Sequence, residues 1–559
     1  MKASRDVLAL SVLGWVGCAT PRVAPVRPAA QLPEYSLAVR LQPVARRIDV
    51  SGTVRLPAVD SARSELRIGL SERMDSLRVE VIAPAGLGAT MLVRDTAGSG
   101  APRIPGESRD VHWILRARSA FPSGQPVTLR FSYRGSGDTT FLYYIGPEVA
   151  FASGWGDSWY PDINGSSKAI GELTIQLPPG WKAIAGNPPV GDVQPARAGL
   201  FRFVQHLPTY FTFSAGPYTV ASRTGTVPIS AWLLKPRENI DSYLAGVERM
   251  VNVLAREFGA YPFGALSLVE VPRPIATAAG FNAFSPAGFL VLNHRAFDVP
   301  DVKYSHQWLG HELGHQWFPH AVIWDKPGFR YMEEALAEYG GLRIVEVLDG
   351  AEAARRSRTT GYEYDPIYSA SAYFRLVGAG VDEPLATLGA GINQRNLAYN
   401  KGSLFFDMLA REIGRENMQR VLNGLTRGKR LETTTWPQFL EAVRTAAGRN
   451  LDWFFEQWLG RAGAPDYRLA WTQRGDSVDG TISQVSPYYR AHLTVELRGA
   501  EGQKLSRVVE IVGATATFSV TPGFRVADVV LDPDYEILRW TAEFRALADS
   551  VRAAVQRRP

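Results

Sequence analysis

Residues 311–315 read His-Glu-Leu-Gly-His, and Glu334 follows on a second segment of helical composition, Tyr331 to Tyr339. On a helix, positions i and i+4 leave from one face, so His311 and His315 present their imidazoles together. Two neutral imidazoles and one carboxylate make a three-ligand zinc set with a fourth position open to water. Glu312 is placed to reach that water as a general base. Four of the eight histidines, His306, His311, His315 and His320, fall within this one short stretch. That clustering opposes the alternative of a solvated helix with two unrelated histidines. A chain with this pattern must bring two helices close enough to share one ion.

The chain has 559 residues, enough for three or four domains, each with its own core. Hydrophobic content of 45% and charged content of 21% are those of a folded soluble protein. The net charge is +6, but no basic run or aromatic-interleaved basic stripe accompanies it, so no nucleic-acid partner is expected.

The first residues read as an export signal. Lys2 and Arg5 give a charged start, and Val7 to Val16 is an apolar run too short to span a bilayer. Gly17 precedes Cys18, the single cysteine of the chain, in the manner of a bacterial lipoprotein processing site. Residues 1–17 are therefore expected to be a signal peptide, Cys18 a candidate lipid attachment site, and 18–33 a Pro/Ala-rich tether. The expected location is the bacterial cell envelope, lipid-anchored and facing the periplasm, or the exterior. That lipid would be the only membrane contact, since no other segment is long and apolar enough to span. One cysteine allows no intrachain disulfide, so stability must come from packing.

A period of two dominates from Tyr35 to about Ser222. Tyr35, Leu37, Val39 and Leu41 alternate with polar or small residues, as do Leu173, Ile175 and Leu177. This predicts an N-terminal antiparallel β-sheet domain over 34–224, with 96–109 a long exposed loop. The period then changes. Ile240, Tyr243, Leu244, Val247, Val251, Leu254 and Phe258 follow helical spacing, and Leu266 to Val271 reads as a buried strand. The region 225–464 is helix-rich and holds all the candidate chemistry. Alternation returns at Leu493, Val495 and Leu497, predicting a C-terminal β-sandwich-like domain over 465–541 and a helix or tail over 542–559. The fold class is thus multidomain α+β.

Beyond the zinc motif, several segments resemble the aminopeptidase N family of gluzincin metallopeptidases, which includes leukotriene hydrolase. His311-Glu-Leu-Gly-His-Gln-Trp-Phe318 is similar to that family's zinc helix, and eighteen residues separate His315 from Glu334, the family's spacing. Tyr399-Asn-Lys-Gly402 resembles its Tyr-x-Lys-Gly motif. Trp159-Tyr-Pro161 resembles a feature of its first domain. Gln457-Trp-Leu459 with Gly463-Ala-Pro465 resembles the end of its catalytic region. The resemblance runs from about residue 33 to 540.

It implies a thermolysin-like catalytic domain, one zinc ion per chain on His311, His315 and Glu334, Glu312 as general base, and Tyr399 stabilising the oxyanion. The implied partner is a peptide substrate; no oligomeric state follows. Glu338, one turn after Glu334, is either a hydrogen-bond partner that fixes a ligand histidine or a solvated glutamate on an amphipathic helix.

The chain departs from the family upstream of the zinc helix. Family aminopeptidases carry a Gly-x-Met-x-Asn type motif whose glutamate grips the substrate's free α-amine. Here the region reads Ala278-Ala-Gly-Phe-Asn282-Ala-Phe-Ser-Pro-Ala-Gly288. Alignment on Asn282 puts Phe281 at the glutamate position; alignment on Gly288 puts Ser285 there. No carboxylate lies between Val271 and Phe297. A bound ammonium in a closed site needs an anion. Either another residue supplies it, with Glu333 beside the ligand a candidate, or the protein does not select free N-termini. Three functions follow from these features: an aminopeptidase-like zinc peptidase, a zinc hydrolase or peptidase without free N-terminus selectivity, and a zinc-stabilised binding protein.

Overall fold

A computed structural model describes residues 32–557, apart from 89, 96–108, 166–167, 187–194, 326–330, 362–368, 390 and 429–432. The expected signal peptide, Cys18, most of the tether and nearly all of the 96–109 loop lie outside the described residues. No described helix is long and apolar enough to cross a membrane.

The N-terminal region is built from sheets, as the alternation predicts. A six-stranded sheet runs in the order Leu200–Thr209, Ala169–Gln176, Glu34–Gln42, Arg47–Leu56, Val127–Ser136, Met74–Ala83. Tyr35, Leu37, Val39 and Leu41 all point into its core. One pairing is parallel: Glu34–Gln42 runs alongside Ala169–Gln176 with Leu37 opposite Leu173. The sheet is therefore mixed rather than wholly antiparallel. Alternation reports which face is buried and carries no information on strand direction. Two four-stranded sheets complete the region.

The central region begins with a five-stranded sheet ordered Thr219–Arg223, Ile229–Leu233, Leu266–Val271, Phe289–Asn293, Ala283–Phe284. Its three middle strands are parallel and buried on both faces. Ile229, Leu266, Leu268, Leu290 and Leu292 face the helical core. Trp232, Val269, Val271, Phe289 and Val291 face the core of the N-terminal sheets. This sheet is the wall on which the two bodies meet. The helix expected from Ile240 spans Ile240–Phe258 and ends where Gly259 leaves helical geometry.

The C-terminal region holds two three-stranded sheets, followed by a helix, Ala542–Gln556. Leu493, Val495 and Leu497 belong to the same apolar cluster as the central helices, so these sheets extend the central core instead of enclosing a separate one.

A partly buried charge network, centred on the buried Asp407 and Arg358, joins the helices to that region. Arg343 and Glu346 lie on the helix Met332–Asp349, Arg358 on Ala351–Thr359, Asp407 and Arg411 on Ser403–Ile413, and Arg415 opens the next helix. Asp407 accepts from Arg358 at 2.9 Å and from Arg415 at 2.6 Å. Glu346 pairs with Arg415 at 3.0 Å and with Arg411 at 3.1 Å. Arg343 reaches Glu257 at 3.0 Å, and Arg411 also pairs with Glu536 beyond the last strand.

Burial pushes the Asp407 carboxyl up, but Arg415, Arg358 and Arg411 outweigh it and hold it well below the usual carboxylate range. Glu346 is lowered in the same way. A depressed folded-state pKa contributes stability that is complete above about pH 4 and is lost as pH falls through the folded value. Asp407→Asn leaves buried guanidinium groups without their anion and is expected to cost about 3–5 kcal/mol. It should melt at a lower temperature at pH 7 and lose less stability than the parent on acidification. Equal melting temperatures for variant and parent at pH 7 would show that the network contributes nothing net.

Candidate metal centre and active-site cleft

The motif helix spans His306–Gly314. His315 is its C-cap, still in right-handed helical geometry, with its N–H bonded to the His311 carbonyl at 3.3 Å. The i, i+4 relation therefore survives the helix end. The ligand helix spans Met332–Asp349 and places Glu333 and Glu334 in its first turn, where the helix dipole favours anions.

The two helices touch backbone to backbone. A Cβ on Gly310 would lie 2.9 Å from the Gly341 Cα, and one on Gly314 would lie 2.8 Å from the Ala337 Cα. Neither distance accommodates a side chain, so glycine at these positions sets the helix separation. These glycines were not singled out in the sequence, because their partners come from the other helix.

That approach brings His311, His315 and Glu334 together, all buried. The two Nε2 atoms are 3.1 Å apart, and Glu334 Oε2 lies 3.5 Å from His311 Nε2 and 3.2 Å from His315 Nε2. Ligand atoms at about 2.0–2.1 Å from a tetrahedral zinc ion are separated by roughly 3.3 Å, so the triangle has the size of such an ion.

The protonation chemistry fits the same conclusion. Burial lowers the His311 pKa, but Glu334, Glu338 and Glu312 overcome it and push the imidazole up to about 10. Burial raises the Glu334 carboxyl, and Arg395, His315 and His311 hold it well below its ordinary value. The carboxylates Glu312, Glu334 and Glu338 surround the imidazoles, all within a buried site. A dication is the charge that such a donor set accommodates.

Outer groups orient the ligands. His315 Nδ1 lies 2.8 Å from the Phe318 carbonyl, and His311 Nδ1 lies 3.3 Å from Glu338 Oε2. Glu338 is buried and accepts from Gln307, which in turn accepts from Ser357 Oγ at 2.6 Å. Of its two readings, the structure places Glu338 on the histidine rather than in solvent.

Glu312 is buried, and its Oε2 accepts from Ser285 Oγ at 2.8 Å. This separates the two upstream alignments. Phe281 is packed in the N-terminal core against Phe151 and Phe284. Ser285 stands beside the general-base candidate, at the end of the edge strand Ala283–Phe284. Gln316 fixes this segment by accepting from the Gly288 N–H at 2.8 Å and donating to the Pro286 carbonyl at 3.0 Å.

Tyr399 lies in a π-helical segment, Ala398–Gly402, between the helices Ile392–Leu397 and Ser403–Ile413. Single π turns recur at functional sites. The Tyr399 ring centre is 5.4 Å from that of His311. Arg395, one turn earlier, reaches both Glu334 and Tyr399 and was missed in the sequence; its i, i+4 relation to Tyr399 was the available signal.

The cleft beside His315 is walled partly by the N-terminal region, through Ser153, Trp155, Tyr210 and Thr212, and partly by Ser285 and His320. The central region thus does not supply all of the site. His320 Nε2 contacts the Ser285 carbonyl. Burial lowers its pKa to about 4, against the Ser285 carbonyl and with His315 and Lys168, so it is neutral at pH 7. Glu333 is buried; burial lowers the Lys168 pKa to about 8, with the Glu333 charge partly opposing that shift.

A solved structure described as Legionella pneumophila aminopeptidase A in complex with aspartic acid matches 92% of this chain with a TM-score of 0.64 at 14% identity. The chain spans 60% of that protein's length, and the match establishes the fold. Residues 245–458 match the peptidase family M1 domain, and they contain the zinc motif, Glu334 and Tyr399. That match lies within the central region, on the segment that carries the candidate metal centre.

Glu338→Gln is expected to weaken zinc binding by roughly 10–100-fold while the fold persists. Competition against a fluorescent zinc chelator measures this. Unchanged affinity would mean that Glu338 does not orient His311.

Proposed function

We propose that the protein is a zinc-dependent metallopeptidase of the aminopeptidase-like type. The observation that carries this is the triangle of His311, His315 and Glu334, with Glu312 and Tyr399 beside it. One zinc ion per chain would be held by those three ligands. When bound, it supplies Lewis-acid chemistry that acidifies water and polarises a carbonyl.

Glu312 takes the proton of the attacking water at Oε1 or Oε2 and returns it to the leaving amine. Ser285 holds that carboxylate in one orientation. Tyr399 donates a hydrogen bond from its hydroxyl to the oxyanion as it forms and keeps its proton, a role worth roughly 3 kcal/mol. The buried site excludes bulk water, which strengthens both interactions. A location in the cell envelope, with lipid on Cys18, is part of the same proposal and is supported by the charged, apolar and cysteine order of the first residues.

A second reading concerns the end of the substrate. Alignment on Gly288 puts Ser285 at the family's amine-binding glutamate, and among the described residues the cleft wall beside Ser285 carries no carboxylate other than the general-base candidate Glu312. Glu333 lies in the field of Lys168, which weakens its claim as the replacement. These features favour a peptidase that does not require a free N-terminus.

Three expectations test the proposal. Glu312→Gln should keep zinc and lose nearly all turnover of a reporter peptide; retained turnover would assign the base elsewhere. Tyr399→Phe should lower kcat by about 100-fold with zinc content unchanged, whereas a change confined to KM would make Tyr399 a ground-state binding group. Paired peptides, free and acetylated at the N-terminus, should be cleaved at comparable rates if Ser285 has removed amine selection. Strict preference for the free peptide would restore the aminopeptidase assignment.

A further inference from the structure

Arg395 is buried beside the metal-ligand triangle, and one of its nitrogens serves two groups. Nη2 donates to Glu334 Oε1 at 3.0 Å and to the Tyr399 hydroxyl oxygen at 3.2 Å. The guanidinium carbon lies 5.6 Å from the centre of the Tyr399 ring. Two residues with separate roles in the proposed reaction are therefore joined through a third.

The consequences follow from donor and acceptor capacity. A guanidinium only donates and stays charged at any working pH. A phenol has one proton and can also accept. Where Tyr399 accepts from Arg395, its own proton must point away from the guanidinium. A charged donor on the phenol oxygen also polarises the O–H bond and makes it a stronger donor. For Glu334, the bond to Oε1 breaks the equivalence of the two carboxylate oxygens. Oε1 is committed to Arg395, and Oε2 is left facing the two imidazoles.

We infer that Arg395 is a positioning residue that selects the oxygen of Glu334 facing the histidine pair and directs the Tyr399 hydroxyl proton into the cleft. The catalytic half of this inference rests on the proposed peptidase function; the metal-binding half does not. A residue that merely neutralised Glu334 would be replaceable by any cation. Lysine keeps the charge but lacks the planar fork, so the two variants Arg395→Lys and Arg395→Met separate charge from geometry.

The experiment uses the full chain, zinc alone as the probe of the metal half, and a reporter peptide for the catalytic half. Arg395→Met is expected to weaken zinc affinity by roughly 10–100-fold in chelator competition, and Arg395→Lys by less than that. Arg395→Lys is expected to lower kcat by about tenfold with KM little changed, less than outright loss of the hydroxyl. In a Tyr399→Phe background, Arg395→Lys should cause no further loss of kcat, because the group it positions is gone.

Independent, multiplying losses in that background would overturn the role through Tyr399. Wild-type zinc affinity in a folded Arg395→Met would overturn the role through Glu334. Should Arg395→Met fail to fold, Arg395→Lys carries the test: a weakened zinc site supports the geometric role, and wild-type affinity and kcat together overturn it. If the wild type cleaves no peptide, the proposed function fails, while the zinc measurements still decide the metal half.

Discussion

The contact between the motif helix and the ligand helix is the constraint on which the site depends. Gly310, Gly314, Ala337 and Gly341 let two backbones meet, and the imidazoles of one helix then reach the carboxylate of the other. A larger residue at either glycine of the motif helix would add side-chain bulk where the partner backbone already lies within van der Waals distance. The ligand helix is held along its length as well. Near its start Glu334 meets Arg395, one turn on Glu338 meets Gln307, and toward its end Arg343 and Glu346 enter the arginine network. A ligand carried on such a helix has little freedom to drift.

Electrostatics explains why this arrangement is paired so completely. Several buried carboxylates lie close together, and burial alone would push their protons on. Arg395 and the histidines reverse this for Glu334, and three arginines reverse it for Asp407. The same principle sets His320 apart. Burial, with His315 and Lys168 nearby, outweighs the contact with the Ser285 carbonyl, so His320 stays neutral and adds no charge to the cleft. The cleft wall on that side carries hydroxyl, aromatic and imidazole groups.

The five-stranded sheet links the site to the rest of the molecule. One face packs on the helices and the other on the N-terminal sheets. Its short edge strand, Ala283–Phe284, ends at Ser285, which holds Glu312. The N-terminal region therefore does more than support the catalytic region. It supplies Ser153, Tyr210 and Thr212 to the cleft wall and buries Phe281 and Phe284, which fixes where Ser285 stands.

Local patterns in the sequence determined a good deal. The helical spacing from Ile240 to Phe258, the alternation at Tyr35–Leu41 and the i, i+4 pair His311 and His315 are properties of a few neighbouring residues, because helix and strand periods are local. Glu334 was legible from its spacing after His315 on a second segment of helical composition, and Tyr399 only through the resemblance of Tyr399–Gly402 to a family motif. Tertiary structure alone decided what depends on residues distant in the chain. It made the pairing of Glu34–Gln42 with Ala169–Gln176 parallel, put Ser285 rather than Phe281 beside Glu312, and set Glu338 against His311. It also joined Arg395 to Glu334 across sixty-one positions and brought Lys168 into the field of Glu333. Periodicity tells which face of an element is buried; which partner that face meets, and therefore the charge and shape of the site, is settled only when the elements pack.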